Sequence, residues 1–351
     1  MSVSFEIAGR RFCGATDPVF VIAEAGVNHN GDVALAHRLV DAAVAAGASA
    51  VKFQTFDAEA LVTEAAPKAA YQDANAPDAK SQLEMLRALE LSHDDFRALQ
   101  KHCDASGIVF LSTPFEAASA DFLNAIGVPA FKLPSGEITN LPLIAHVAAM
   151  GRPMILSTGM STMEEVKLAL AEIEAAGNRE TVILHCLSQY PADPAEVNLR
   201  AMATLSDAFG YPVGFSDHTE GITVTLAATA LGARVIEKHF TLDRALPGPD
   251  HRASLNPDEL AAMVQGIATV AAALGDGDKR PRASERNTAD VARKSIVAAR
   301  AIEAGKTIAR ADLAIMRPGT GMAPARLGDV VGKRATRAIA RHALIAPEDL
   351  A

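Results

Sequence analysis

Eight short apolar runs recur along the first three quarters of the chain: Val19–Ala23, Ala50–Phe53, Ile108–Leu111, Ala130–Leu133, Pro153–Leu156, Val182–Leu184, Val213–Phe215 and Val235–Ile236. Each is strand-length, and amphipathic helical stretches separate most of them. One helix is expected over 33–46, closed by Gly47. Another runs from a Ser92 cap through Ser106, with Asp94 and Asp95 in its first turn, and a last one starts at Asn256-Pro257 and ends near Leu274. Strands alternating with helices predict a parallel sheet, and eight such units over about 250 residues predict a closed (β/α)8 TIM barrel spanning residues 17–275. In that architecture the active site forms where the strands end. The runs here lead into Glu24, Lys52 and Gln54, Ser112-Thr113, Lys132, Ser135 and Glu137, Ser157-Thr158, His185, Ser216-Asp217-His218 and Glu237-Lys238-His239.

Two segments break the pattern. Between Asp57 and Ser92 no strand is expected, and the stretch holds Pro67, Tyr71, Gln72 and Pro77; a long insertion there reads as a lid over the barrel mouth, with a disordered surface excursion as the alternative. Residues 278–292 have the polar, charged composition of a linker, so the chain divides into a barrel domain at 1–277, the linker, and a small domain at 293–351. That last domain repeats itself. Arg300-Ala301-Ile302, Ile308-Ala309 and Asp312-Leu313 recur as Arg337-Ala338-Ile339, Ile345-Ala346 and Asp349-Leu350, always 37 residues on. Two copies in register predict a pseudo-symmetric β-rich module.

Composition narrows the function classes. The chain of 351 residues carries a net charge of -9, which argues against nucleic acid as a partner. No apolar run approaches the roughly 18 residues of a membrane span, and the first residues lack a signal-peptide core. Three widely spaced cysteines, Cys13, Cys103 and Cys186, read as reduced thiols, so a cytoplasmic protein is expected. Residues 293–351 hold 11 Lys/Arg against 5 Asp/Glu. A basic module of this kind either is simply a solvated surface or serves an anionic substrate or an acidic barrel.

The candidate chemistry lies at the strand ends. His218 and His239 follow neighbouring strands and can share one divalent metal, with Glu237 and Asp217 as supporting groups; the plainer alternative is a hydrogen-bonded polar rim. Lys52, Lys132 and Lys238, with the hydroxyls of Thr113, Ser135, Ser157 and Ser216, suit an anion rich in oxygens. Glu137, after Gly136, is a candidate general acid or base, unless it is spent on an ion pair with Lys52 or Lys132; Glu24 is a second carboxylate candidate. Asp250, in Leu246-Pro247-Gly248-Pro249-Asp250-His251, suits a polyol, with a plain turn as the alternative. Strand-end lysines also permit a Schiff-base aldolase, and a third reading is a non-catalytic carbohydrate-binding protein.

Together, AEAGVNHNGD (23–32), VKFQTF (51–56), FLSTPFE (110–116), FKLPSGEITNLPLI (131–144), ILSTGMS (155–161), LHCLSQYP (184–191), GFSDHT (214–219), EKHFTLDRALPGPDH (237–251) and MRPGTG (316–321) resemble the sialic acid synthase family across nearly the whole chain. The C-terminal module resembles the family's antifreeze-like SAF domain, of β-clip type. The resemblance implies that phosphoenolpyruvate condenses with an open-chain N-acyl hexosamine, with C–O cleavage, to give a nine-carbon 2-keto sugar acid and phosphate. N-acetylmannosamine giving N-acetylneuraminate is the expected pair, and 2,4-diacetamido-2,4,6-trideoxymannose giving legionaminic acid is the alternative. By the same resemblance His218 and His239 bind the metal, usually Mn2+ with Mg2+ or Co2+ as alternatives. Lys52, Thr113, Lys132, Ser135, Ser157, Ser188 and Ser216 match phosphoenolpyruvate-binding positions, although Ser188 stands where the family often carries Asn or Thr. Glu137 matches the acid/base, and Gln54, Tyr190, Glu237 and Asp250 match positions around metal and sugar. Arg317 matches an arginine that the partner subunit of a domain-swapped homodimer places near the N-acyl group. The AGVNHNG motif is similar to the sialic and legionaminic branches rather than the pseudaminic one.

Overall fold

The computed structural model describes residues 6–11 and 17–351. It forms two compact units, divided between Gly275 and Asp276. In the first, a short antiparallel hairpin, β1 (Glu6–Ile7) and β2 (Arg10–Arg11), precedes eight parallel strands. These are β3 (Phe20–Gly26), β4 (Ala50–Thr55), β5 (Val109–Pro114), β6 (Phe131–Leu133), β7 (Met154–Ser157), β8 (Thr181–Cys186), β9 (Val213–Asp217) and β10 (Val235–His239). They form one sheet in the order β5-β4-β3-β10-β9-β8-β7-β6, whose two edge strands lie beside each other and nearly close the TIM-like barrel. Each of the eight parallel strands falls on one of the eight apolar runs. Most extend one to three residues further, so the polar residues sit on the strands themselves.

Alternation along these strands separates two environments. Phe20, Ile22, Leu111, Ile155, Val182 and Leu184 pack with one another inside the barrel, and Ile7 of the hairpin joins them. The intervening residues, such as Val21, Phe53, Phe131 and Phe215, pack outward with the surrounding helices. Gly214 is required by this crowding, because a Cβ there would collide with the Val235 carbonyl and Leu184. The helices begin and end as their caps dictate. Ser92 accepts from the Asp95 amide to open His93–Ser106, and Asn256 accepts from the Glu259 amide to open Pro257–Leu274.

The 57–92 insertion contains no strand. It folds into three short helices, Ala58–Leu61, Ala70–Asn75 and Gln82–Arg87. Cys103 and Cys186 are free and buried; Cys13 lies outside the described residues. Among the described residues no helix is long and apolar enough to cross a membrane.

In the second unit β11 (Ser295–Ala298) pairs antiparallel with β12 (Leu313–Met316). The sequence repeat is a structural one. Ile302 and its counterpart Ile339 exchange both backbone hydrogen bonds, and His342 N→Ala298 O and Gly305 N→Ala335 O, both 2.7 Å, are the same bond 37 residues apart. Arg300 pairs with Asp312 and Arg337 with Asp349, each at 2.6 Å. The expected linker is partly ordered: Arg286–Ala292 is helical, and Asp290 O accepts from Gly319 N.

Candidate active site

The cavity at the strand ends of the barrel has a volume of about 510 Å³. The parity that buries Phe20 and Ile22 also turns Glu24 inward. The same alternation places Lys52 and Gln54 (β4), Thr113 (β5), Lys132 (β6), Ser157 (β7), Cys186 (β8), Ser216 (β9), and Glu237 and His239 (β10) on the cavity wall. Ser135, Glu137, Ser188, Tyr190, His218 and Asp250 join them from the loops just beyond. Of the expected site residues of the barrel, all but Lys238 and Asp217 therefore line one cavity. Arg317 belongs to the other unit, where it is exposed and its Nε donates to Ala292 O at 3.1 Å.

Parity also corrects the sequence reading. Lys238 and Asp217 follow inward-facing neighbours and point outward, away from the cavity. They form a fully buried ion pair of 2.9 Å, supported by bonds from Thr225 Oγ1 (2.6 Å) and Thr219 N (2.8 Å) to Asp217. Neither belongs to the anion cradle or the metal surroundings, and Lys238 is no candidate nucleophile. His185 likewise faces outward and bonds Val197 O at 2.6 Å, and Ser112 bonds Thr55 at 2.7 Å.

At the cavity floor Lys52 Nζ lies 2.7 Å from Glu24 Oε2 and donates to Thr113 Oγ1 at 2.8 Å. Glu237 stands 3.6 Å from both Lys52 and Lys132 and accepts from Ser216 Oγ at 2.8 Å. Burial, opposed by Lys52, pushes the Glu24 carboxyl up to about 7. Burial would raise Glu237 too, but the two ammonium groups outweigh it and hold that carboxyl at about 2. Burial lowers the Lys132 pKa, whereas for Lys52 the two carboxylates overcome burial and raise it. Ser157 Oγ is buried without a hydrogen-bond partner in the protein, which leaves it able to bond a ligand.

Glu137 makes no ion pair with either lysine. It is half-buried on the cavity wall, and Asn140 Nδ2 donates to its Oε2 at 2.7 Å. Across the mouth Gly159 N donates to Ser135 Oγ at 2.9 Å. A side chain on Gly159 would strike both Ser135 and Ser188.

The His218 and His239 rings have centroids 5.5 Å apart. His218 Nδ1 donates to Leu187 O at 2.7 Å, and against burial Cys186 and this carbonyl raise its pKa. His239 is held well below its ordinary pKa by burial and by His218, so it is a neutral imidazole, and its buried Nδ1 has no partner. Two imidazoles side by side, one of them with a buried nitrogen that has no partner, fit a divalent ion whose remaining positions are taken by substrate and water. Among the described residues no group of three or more His, Cys, Asp or Glu is arranged to hold an ion unaided.

The insertion roofs this site, as a lid would. Tyr71 stacks on Tyr190 at 5.0 Å, and Tyr190 lies 4.1 Å from His218. Asn75 Nδ2 donates to Pro249 O at 2.8 Å, beside Asp250. Burial raises the Asp250 carboxyl to about 6, against the His218 charge.

The sequence pattern of the NeuB family matches residues 39–279, and that of the SAF domain matches 293–351. The chain is 48% identical to an N,N'-diacetyllegionaminic acid synthase of Legionella pneumophila, over 95% of each chain. It is 46% identical to an N,N'-diacetyllegionaminic acid synthase of Campylobacter jejuni, over 90% of this chain and 96% of that one. A crystal structure of an N-acetylneuraminic acid (sialic acid) synthetase from Leptospira borgpetersenii, in complex with citrate, superposes with a TM-score of 0.74 at 35% identity. That match covers 82% of this chain and 95% of the other.

Proposed function

Because the chain belongs to the NeuB family and carries a SAF domain at 293–351, we propose that it condenses phosphoenolpyruvate with the open-chain form of 2,4-diacetamido-2,4,6-trideoxymannose to give N,N'-diacetyllegionaminic acid and phosphate. The class, a carbon–carbon bond-forming synthase, is that of its relatives. The choice of acceptor over N-acetylmannosamine rests on the 48% and 46% identity to the two legionaminic acid synthases. The observation that carries the reaction is the shared cavity of His218, His239, Glu137 and the Lys52–Glu24–Glu237–Lys132 cluster.

Lys52, Lys132, Thr113, Ser135, Ser157, Ser188 and Ser216 hold the phosphoenolpyruvate anion by charge and hydrogen bonds. Gln54, Tyr190, Glu237 and Asp250 orient the sugar. A divalent ion held by His218 and His239, Mn2+ in this proposal, would polarise the aldehyde carbonyl as a Lewis acid. As the enol carbon attacks, positive charge develops at C2 of the enolpyruvyl unit. Glu137, oriented by Asn140, takes a proton from the water that attacks this carbon. The former aldehyde oxygen takes up a proton to become a hydroxyl; the C2–O bond to phosphate then breaks as the new C2 hydroxyl gives up its proton to become the keto group, and the lysine cradle steadies the departing phosphate. Arg317 completes the sugar site from the partner subunit of a homodimer.

The test is a phosphate-release screen with phosphoenolpyruvate, Mn2+ and a panel headed by the two acceptors. Faster turnover of the trideoxy sugar supports the assignment. Faster turnover of N-acetylmannosamine transfers the chain to the sialic branch, and no release with any N-acyl sugar refutes the reaction.

A further inference from the structure

The cavity has two walls of different chemistry. Its floor is the ring of charged and hydroxyl side chains on the strand ends, and its roof is the 57–92 insertion. The first and third helices of the insertion, Ala58–Leu61 and Gln82–Arg87, pack together and present Leu61, Val62 and Leu86 to the cavity. Leu61 and Leu86 rest on Phe56, Met85 and Leu89, and all three facing side chains remain half-buried, with surface left over for a ligand. The middle helix is the polar part of the roof, with Tyr71 and Gln72 on the side tied to the Asp250 loop. Gln82 adds one amide at the start of the third helix.

We propose that Leu61, Val62 and Leu86 are specificity-determining residues that select an acceptor bearing methyl groups in place of hydroxyls. This rests on the condensing reaction proposed above. A hydroxyl pressed against these side chains loses its water and finds no partner, whereas a methyl group gains by burial. The 6-deoxy carbon and the second acetamido methyl of the trideoxy sugar are such groups; N-acetylmannosamine has hydroxyls at both places. An apolar wall discriminates against an added hydroxyl by at most about a hundredfold, so a preference of about tenfold or more is expected.

The experiment is a competition. The full-length protein receives phosphoenolpyruvate, Mn2+ and equal concentrations of the two acceptors, and the products are counted by mass spectrometry. The product ratio equals the ratio of kcat/KM values and does not depend on how much protein is folded. The wild type is expected to favour the trideoxy product by about tenfold or more. Leu61→Gln with Leu86→Gln shifts the ratio about tenfold toward the N-acetylmannosamine product, while Leu86→Met leaves it unchanged. If the double variant is inactive, the near-isosteric Val62→Thr decides, by a shift of about threefold in the same direction. An unchanged ratio in the active double variant, or in Val62→Thr where that variant decides, overturns this assignment and leaves the reaction standing. A wild type that prefers N-acetylmannosamine overturns it as well. No product from either acceptor removes the proposed function and this inference with it.

Discussion

Asp250 is buried in the cavity wall, 7% exposed, and no side chain or amide donates to its carboxylate among the described residues. Its pKa rises from an ordinary 3.8 to about 6, which corresponds to about 3 kcal/mol. The folded state binds this proton more tightly than the unfolded chain. The stabilisation is therefore fully present below about pH 4 and is lost as the pH rises through about 6. Above that, the buried carboxylate costs about 3 kcal/mol in the ligand-free protein. Asp250→Asn keeps the shape and removes the charge. Urea unfolding of the metal-free proteins from pH 4 to pH 8 should show the variant more stable by about 3 kcal/mol at pH 8, with the difference closing towards pH 4. Its kcat/KM for the sugar should nevertheless fall by about a hundredfold, with little change in KM for phosphoenolpyruvate. A variant less stable than wild type at pH 8, or a difference that does not change with pH, would refute the argument that this carboxylate is held under strain for the substrate.

Lys238→Met strands the buried Asp217 charge and should lower stability by about 3–5 kcal/mol. Thermal melting checks this, and the surviving folded protein should keep its KM values, because the pair lies outside the cavity. Glu137→Gln should cut turnover by about 10²–10⁴ while phosphoenolpyruvate still binds, measured by calorimetry against the phosphate-release rate. EDTA should abolish phosphate release and added Mn2+ restore it. His239→Ala should not be rescued, and a fully active EDTA-treated enzyme would exclude the metal.

Much of this fold was legible because one physical rule, burial of apolar runs, governs it. Eight runs became eight strands, and the Ser92 and Asn256 caps opened the helices they announce. The lid was legible from what it lacks, a strand where one was due. The errors came from reading the strand ends without their parity. Lys238 and Asp217 are one residue out of step with Glu237 and Ser216, and that single step moves them from the cavity to the space behind the barrel wall. Parity was available, since Val235 and Ile236 already set it. The helix Arg286–Ala292 reads as linker because a seven-residue segment with only Ala289, Val291 and Ala292 as apolar residues carries too little apolar surface to announce itself. Tyr71 and Asn140 were not picked out as site residues, because their roles depend on Tyr190 and Glu137 being close in space. An asparagine three residues after a candidate carboxylate is the signal that could have found the second.

The central claim is that this cavity breaks the C2–O bond of phosphoenolpyruvate by adding water at carbon, not at phosphorus. It is tested most directly by turning over phosphoenolpyruvate labelled with 18O in the bridging oxygen, in the presence of the trideoxy acceptor and Mn2+. The account predicts that all of the label leaves in inorganic phosphate, one atom per molecule. Label retained in the sugar acid would contradict it.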